Sequence, residues 1–343
     1  MKLIKLNNAV SMYSEPVFGT VKAEQRVMAI SIDKETKNPY LGLVREITKS
    51  QGTPDKPGFI DESKLIIVES QDALKWKKKA DLKIKGINKI IKEISGKDKY
   101  FIGLEDPDII NEGKTKHVYF TIAFKYKKKI GYSVYLGHAQ GNSIENLTAT
   151  KPVLSPIKKF RGFKEVTISP VNKKGYRINL SEAQLVINND ELSVTISAKG
   201  KELSKPWKFQ EIVLDPRKMK YDWCKGETSP MILFPKDFIS LKNKDLVVGI
   251  INGREVKKIV NKEKIYGKFC PGLIIYNPET GKIPWIAPEC LFEDPDARTI
   301  TFSSDFLRTE KQSGILYAHV NDSFIRAYKI DANELKKLLP KNF

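Results

Sequence analysis

Short β-rich runs, broken by turn residues roughly every eight to twelve positions, dominate this chain and most constrain its fold. Examples are RVMAISI (26–32), YLGLVREI (40–47), KLIIVES (64–70), HVYFTIAF (117–124) and YSVYLGHA (132–139). The same texture returns in LSVTISA, DLVVGIING, PGLIIYN, RTITFSS and ILYAHV. β-branched and aromatic residues at alternating positions fit a pleated, half-buried surface. Helical periodicity is confined to the Lys-rich INKIIKEI (87–94) and to ANELKKLL (332–339).

The runs are ordered in units of about four, with openings near Pro16, Gly103, Phe163, Gly226 and Ala297. Repeated four-stranded units predict an all-β, five-bladed β-propeller, because radial repetition leaves only short edges. The Lys-rich helix then reads as an insertion between blades 1 and 2. Two tandem sandwiches are the competing architecture. No Pro/Gly/Ser-rich linker divides residues 1–343, which favours a single domain.

Lys and Arg number 60 and Asp and Glu 41, a net charge of +19. Such a surplus suits polyanions. It equally suits a Lys-rich solvated surface, since the lysines are spread along the chain. The densest stretch, Lys75 to Lys99, has few arginines and no base-reading motif, so nucleic acid is not an expected partner. No apolar run approaches a membrane span, and no apolar stretch follows the first lysines as in an export signal. Three cysteines without CxxC spacing read as free thiols, which with the lack of a signal predicts a cytoplasmic protein. The three histidines are dispersed, so neither a metal nor another cofactor is expected.

In a propeller the opening strand of each blade lines the central channel. Those strands here include GLEDPDII (103–110), FKEVTISP (163–170), KGETSPMIL (225–233) and DARTITFSS (296–304). Carboxylates beside Gly, Pro or Lys recur in them. Glycoside cleavage needs such groups, one to protonate the leaving oxygen and often a second to activate water.

These segments, in order, resemble glycoside hydrolase family 130, the β-mannoside phosphorylases and β-mannosidases. ESKLIIVESQDALKWKK (62–78), GLEDPDIINEGKTKHVYFTIAF (103–124), YSVYLGHAQGNSIENLTATKPVLSP (132–156), KEVTISPVNKKG (164–175), GETSPMIL (226–233) and GILYAHVNDSFIRAYKI (314–330) carry the likeness. The resemblance implies an oligosaccharide substrate, single-step inversion and Asp106 as general acid, its proton affinity raised by burial and by Glu105. It places Arg45, Glu105, Lys164, Glu165, Asn252 and Asp322 at the substrate. Tyr119 and Trp76 become candidates to stack on sugar faces. Self-association of relatives makes a homo-oligomer an expectation.

Three departures bear on the nucleophile. Asp108 stands where the family has Arg after Glu-Asp-Pro. The His-Arg pair after the third blade's opening strand is missing, and Ile251-Asn252-Gly253 replaces Tyr-His-Gly. In phosphorylases those Arg and His residues hold inorganic phosphate, which needs placed guanidinium groups. Hydrolysis is therefore expected over phosphorolysis, with the base drawn from Glu182, Glu227 and Glu255. Inorganic phosphate stays a co-substrate only if Arg254 or Lys164 has taken over its binding. A propeller that binds carbohydrate without cleaving it is the rival reading. Arabinan- and fructan-cleaving propellers place an Asp at the opening of blade 1, which Pro16-Val17-Phe18-Gly19 lacks.

Overall fold

A computed structural model of the chain describes residues 1–22, 25–128, 131–187 and 190–343. Strands β1 (Leu3–Lys5) and β2 (Val10–Tyr13) come first. A group of four follows: β3 (Val27–Asp33), β4 (Tyr40–Gln51), β5 (Ile60–Ser70) and β6 (Lys77–Asp81). The short β7 (Ile84–Lys85) and α1 (Ile87–Ser95) lead to β8 (Lys99–Glu112), β9 (Thr115–Tyr126), β10 (Tyr132–Ser143) and β11 (Asn146–Ala149). The third group is β12 (Phe160–Thr167), β13 (Arg177–Ile187), β14 (Asp190–Gly200) and β15 (Lys208–Leu214). The fourth is β16 (Glu227–Leu233), β17 (Val247–Arg254), β20 (Phe269–Asn277) and β21 (Lys282–Ile286), with the hairpin β18 (Lys258–Val260) and β19 (Glu263–Ile265) between its second and third strands. Strands β22 (Thr301–Arg308), β23 (Ser313–Val320) and β24 (Phe324–Asp331) precede α2 (Ala332–Lys337).

Pairing inside each group is antiparallel between sequence neighbours. The last group gains its fourth strand from the other end of the chain: β2 pairs with β24 and β1 with β2. The first group accordingly opens at Val27, not near Pro16 as the sequence suggested. Residues 3–13 belong to the last group because their partner lies more than 300 positions away, out of reach of any local pattern.

Opening strands pack on one another in turn: β3 on β8, β8 on β12, β12 on β16, β16 on β22, and β22 back on β3. The core lies between consecutive groups. Tyr119, Leu136, Phe163 and Ala183 fill the space between the second and third. Val27, Val44, Tyr317 and Ile325 fill that between the last and first. Burial of such side chains stabilises by roughly 1.5–3 kcal/mol each. Helix α1 docks through Ile87, Ile90, Ile91 and Ile94, the i, i+3, i+4, i+7 set, against the cluster of the first two groups.

Glycine is required where opening strands pass their neighbours. A Cβ on Gly103 would lie 2.3 Å from the Ser63 carbonyl oxygen, and one on Gly162 would lie 2.3 Å from that of Val134. These are the points where β5 meets β8 and β10 meets β12. The glycine of the Gly-Leu-Glu-Asp-Pro segment thus has a packing cause.

All five opening strands carry a bulge. The register slips between Met28 and Ser31, Glu105 and Asp108, Lys164 and Val166, Pro230 and Ile232, and Ser303 and Asp305. In the first three groups the bulge holds a non-glycine residue at positive φ: Ala29 (51°), Asp106 (47°) and Glu165 (46°). A bulge breaks the alternation of side chains and re-aims them.

Candidate active site

That re-aiming builds the site. On a flat strand Glu105 and Asp106 would point to opposite faces, yet both line one cavity of about 780 Å³. The bulge at 164–166 likewise brings both Lys164 and Glu165 to it. Arg45, from β4, spans the first pair. Its Nη2 donates to Glu105 Oε1 at 2.8 Å and its Nη1 to Asp106 Oδ1 at 3.1 Å.

Burial pushes the Glu105 carboxyl up to about 7, against the opposing charge of Arg45 and with added repulsion from Asp106. Burial likewise holds Glu165 well above the usual carboxylate range; Lys164 works against this, and Glu182 and Asp106 reinforce it. Ser229 donates its hydroxyl to Glu165 Oε2. Two neighbouring carboxyls thus hold protons more tightly than free side chains, through desolvation.

On the last group, Asp322 sits at φ 51° beside His319. The Ala29 N–H donates to His319 Nδ1 at 3.3 Å, so Nε2 carries the proton and faces Asp322 Oδ1 at 3.2 Å. Burial raises the Asp322 carboxyl, but the His319 contact, with Arg26 and Arg45, outweighs it and leaves that group below its ordinary value. The fourth group supplies Glu227, paired with Arg254 at 3.2 Å. The Arg254 guanidinium lies between the rings of Tyr266 (4.3 Å) and Phe269 (4.5 Å).

Seven carboxyl residues line the cavity: Asp61, Glu105, Asp106, Glu165, Glu191, Glu227 and Asp322. Five cations face them, and four of these are already paired: Arg45, Arg161 with Glu191, Lys164 with Glu165 and Glu182, and Arg254. Only Lys125 has no carboxylate partner among the described residues. The surplus of positive charge on the whole chain does not extend into this cavity. Among the described residues no group of three or more His, Cys, Asp or Glu is arranged to hold a metal ion.

No family model matches the sequence, and no curated protein matches it. Solved structures do match the fold. A β-1,2-mannobiose phosphorylase from Listeria innocua, in complex with β-1,2-mannobiose, aligns over 96% of this chain and 99% of its own, with TM-score 0.65 and 12% identity. The chain has a glycoside hydrolase family 130-like fold. A glycosyl hydrolase from Bacteroides ovatus aligns over 96% and 92%, at TM-score 0.63 and 15% identity. A mannose phosphorylase from Leishmania mexicana, in complex with phosphate ion, aligns over 95% and 90%, at 0.56 and 13%.

On this family 130-like scaffold the sequence-derived residues divide. Arg45, Glu105, Asp106, Lys164, Glu165, Glu227 and Asp322 meet at the cavity. Glu182, Asn252 and Glu255 do not line it. Glu182 lies behind Lys164, 2% exposed, and accepts from Ser193 at 2.7 Å. Asn252 spends both ends of its amide on Ser303, donating to its carbonyl at 2.9 Å and accepting its N–H at 2.8 Å. Glu255 pairs with Lys258 and accepts the Lys268 N–H outside the cavity.

Tyr119 and Trp76 are core residues, and their polar atoms donate to the Leu203 and Ala73 carbonyls. Asp108 lies beyond the bulge from Asp106, outside the cavity lining. Its carboxyl, facing Lys34 and Asp305, is pushed up to about 7 mainly by burial. His319, Tyr132, Tyr266, Arg161 and Asp61 line the cavity without having been singled out. Of these only His319 carried a signal, three residues before Asp322.

Proposed function

We propose that this chain is a glycoside-cleaving enzyme acting on β-mannosides or related oligosaccharides by single-step inversion, with water as nucleophile. We also read its five strand groups as the blades of one propeller domain over residues 1–343, α1 being an insertion between blades 1 and 2. The observation that carries the functional reading is the engagement of the cavity's cations: of the five that line it, four are already paired with carboxyl groups. A phosphate dianion needs unengaged, bidentate donors. Here it would have to displace a carboxylate from Arg45, Arg161 or Arg254, and Lys125 alone offers a point charge. Water meets no such obstacle.

In this reading Asp106 protonates the glycosidic oxygen as its bond to the anomeric carbon breaks. Glu105, buried against the same guanidinium, holds a proton near neutral pH. Glu227 takes a proton from the water whose oxygen forms the new bond, and Arg254 fixes its orientation. Of the three glutamates proposed from sequence as base, Glu227 is the one at the cavity.

The test follows β-1,2-mannobiose and other β-mannosides by proton NMR, with and without phosphate. Free mannose released first as the inverted anomer, at a rate independent of phosphate, supports the reading; mannose 1-phosphate as product refutes it. Asp106→Asn should lower turnover by about 10²–10⁴-fold, and unchanged turnover would remove Asp106 from the mechanism.

A further inference from the structure

Two segments from non-adjacent strand groups meet beside the cavity. One is the tip of the β4–β5 hairpin, residues 52–59; the other is the connection from β17 to β20, which carries the β18–β19 hairpin and, just after it, Tyr266. The Tyr266 N–H donates to the Asp55 carbonyl at 3.0 Å, and Lys56 Nζ pairs with Glu263 at 2.6 Å. The fourth group packs its opening strand on the third and fifth, the first group on the second and fifth. The two hairpins therefore join groups whose opening strands do not pack on each other. Both reach the cavity, one through Gly58 and Phe59 and the other through Tyr266.

Tyr266 is held by more than its backbone. Its ring lies against Arg254, which is itself fixed by Glu227. Arg254 is 7% exposed, and its Nε has no acceptor among the described residues. The strap thus carries an aromatic ring to the carboxylate read above as the base.

We propose that these hairpins form a strap over the cavity and that Tyr266, positioned by it, is a sugar-contacting residue that selects which glycan fits. This rests on the carbohydrate reading of the cavity. Aromatic rings among a few placed polar groups are how small-molecule pockets gain both area and orientation. The Lys56–Glu263 pair is 46% and 60% exposed at its two side chains, so it is a weak tie. The strap can part to admit a glycan and re-form around it.

The experiment measures calorimetric affinity and steady-state turnover for β-1,2-mannobiose and its β-1,4 isomer. It uses the full chain, Tyr266→Ala, Tyr266→Phe and the double variant Lys56→Ala/Glu263→Ala. Tyr266→Ala should weaken the preferred disaccharide by about threefold to tenfold and narrow the preference between isomers. Tyr266→Phe should restore both. The double variant should raise KM with kcat unchanged and speed hydrogen exchange at the Tyr266 amide. Full-length protein that binds disaccharide while Tyr266→Ala binds equally well overturns the proposal and leaves the cavity reading intact. Unchanged exchange and KM in the double variant overturn the strap. Failure of the unaltered protein to bind either disaccharide removes the carbohydrate reading, and Tyr266's role with it.

Discussion

Replacing Glu105 by Gln should stabilise the fold in alkaline solution and do little in acid. Glu105 is 8% exposed, and burial moves its carboxyl from an ordinary 4.5 to about 7 despite the Arg45 guanidinium 2.8 Å away. Between those two values the folded chain binds the proton more tightly than the unfolded one, so stability falls as pH rises through that window. Below it both states are protonated and nothing is lost. Above it both are ionised and the folded state bears the full penalty. At about 1.4 kcal/mol per pH unit, the interval from 4.5 to about 7 amounts to about 3 kcal/mol. Gln keeps the shape and cannot ionise. The urea midpoint of Glu105→Gln relative to the unaltered chain, measured from pH 4 to pH 8.5, should therefore rise across the window by the equivalent of about 3 kcal/mol. A difference that stays flat with pH refutes the reasoning, because it means that Glu105 ionises in the folded state at no cost. A difference that falls with pH means that Arg45 more than repays the burial.

Asp294→Ala should cost about 3–5 kcal/mol in urea unfolding, because Arg326, 1% exposed, would keep Asp296 as its one carboxylate and the Tyr328 hydroxyl would lose its acceptor. A loss below 1 kcal/mol would mean that water reaches that guanidinium. Removal of residues 1–14 should lower the unfolding midpoint and promote association detectable by light scattering. It strips the buried Val10 and Met12, each contributing about 1.5–3 kcal/mol, and bares the edge of β24. A truncated chain whose association state and midpoint are both unchanged would count against that closure.

Much of the strand pattern was legible because β-branched and aromatic runs of the right length leave few alternatives. The helix at Ile87–Ser95 was legible for the complementary reason, since four isoleucines fall on one helical face. The ends of β4 and the start of β5 were not. Residues such as Thr48, Lys49 and Ser50 are exposed and polar, and they are strand only because the facing segment pairs with them. The N-terminal strands were missed for the same cause at greater range. In the cavity, Glu105 and Asp106 could be found from a local motif. Tyr266 could not, because its position depends on a contact with Asp55, more than 200 residues away.

Glu182 and Glu255 illustrate a subtler obstacle. Each lies near a segment that contributes to the cavity, and counting along the sequence cannot say which way a side chain turns once a bulge has shifted the register. Lys164 faces the cavity and is paired across the ladder with Glu182, which the cavity does not reach. The bulge is a property of the fold and not of the chemistry, as Ala29 shows. It holds the same positive-φ conformation in the first group as Asp106 and Glu165 do in the second and third, with no functional group to present. A left-handed residue other than glycine is sparsely allowed and costs stability, so its recurrence at three matching positions argues that strand packing enforces it. The opening strands thus offer repeated stations around a common cavity. Carboxyl groups collect in this cavity because two of those stations carry Asp106 and Glu165, and because the bulge turns Glu105 the same way as Asp106.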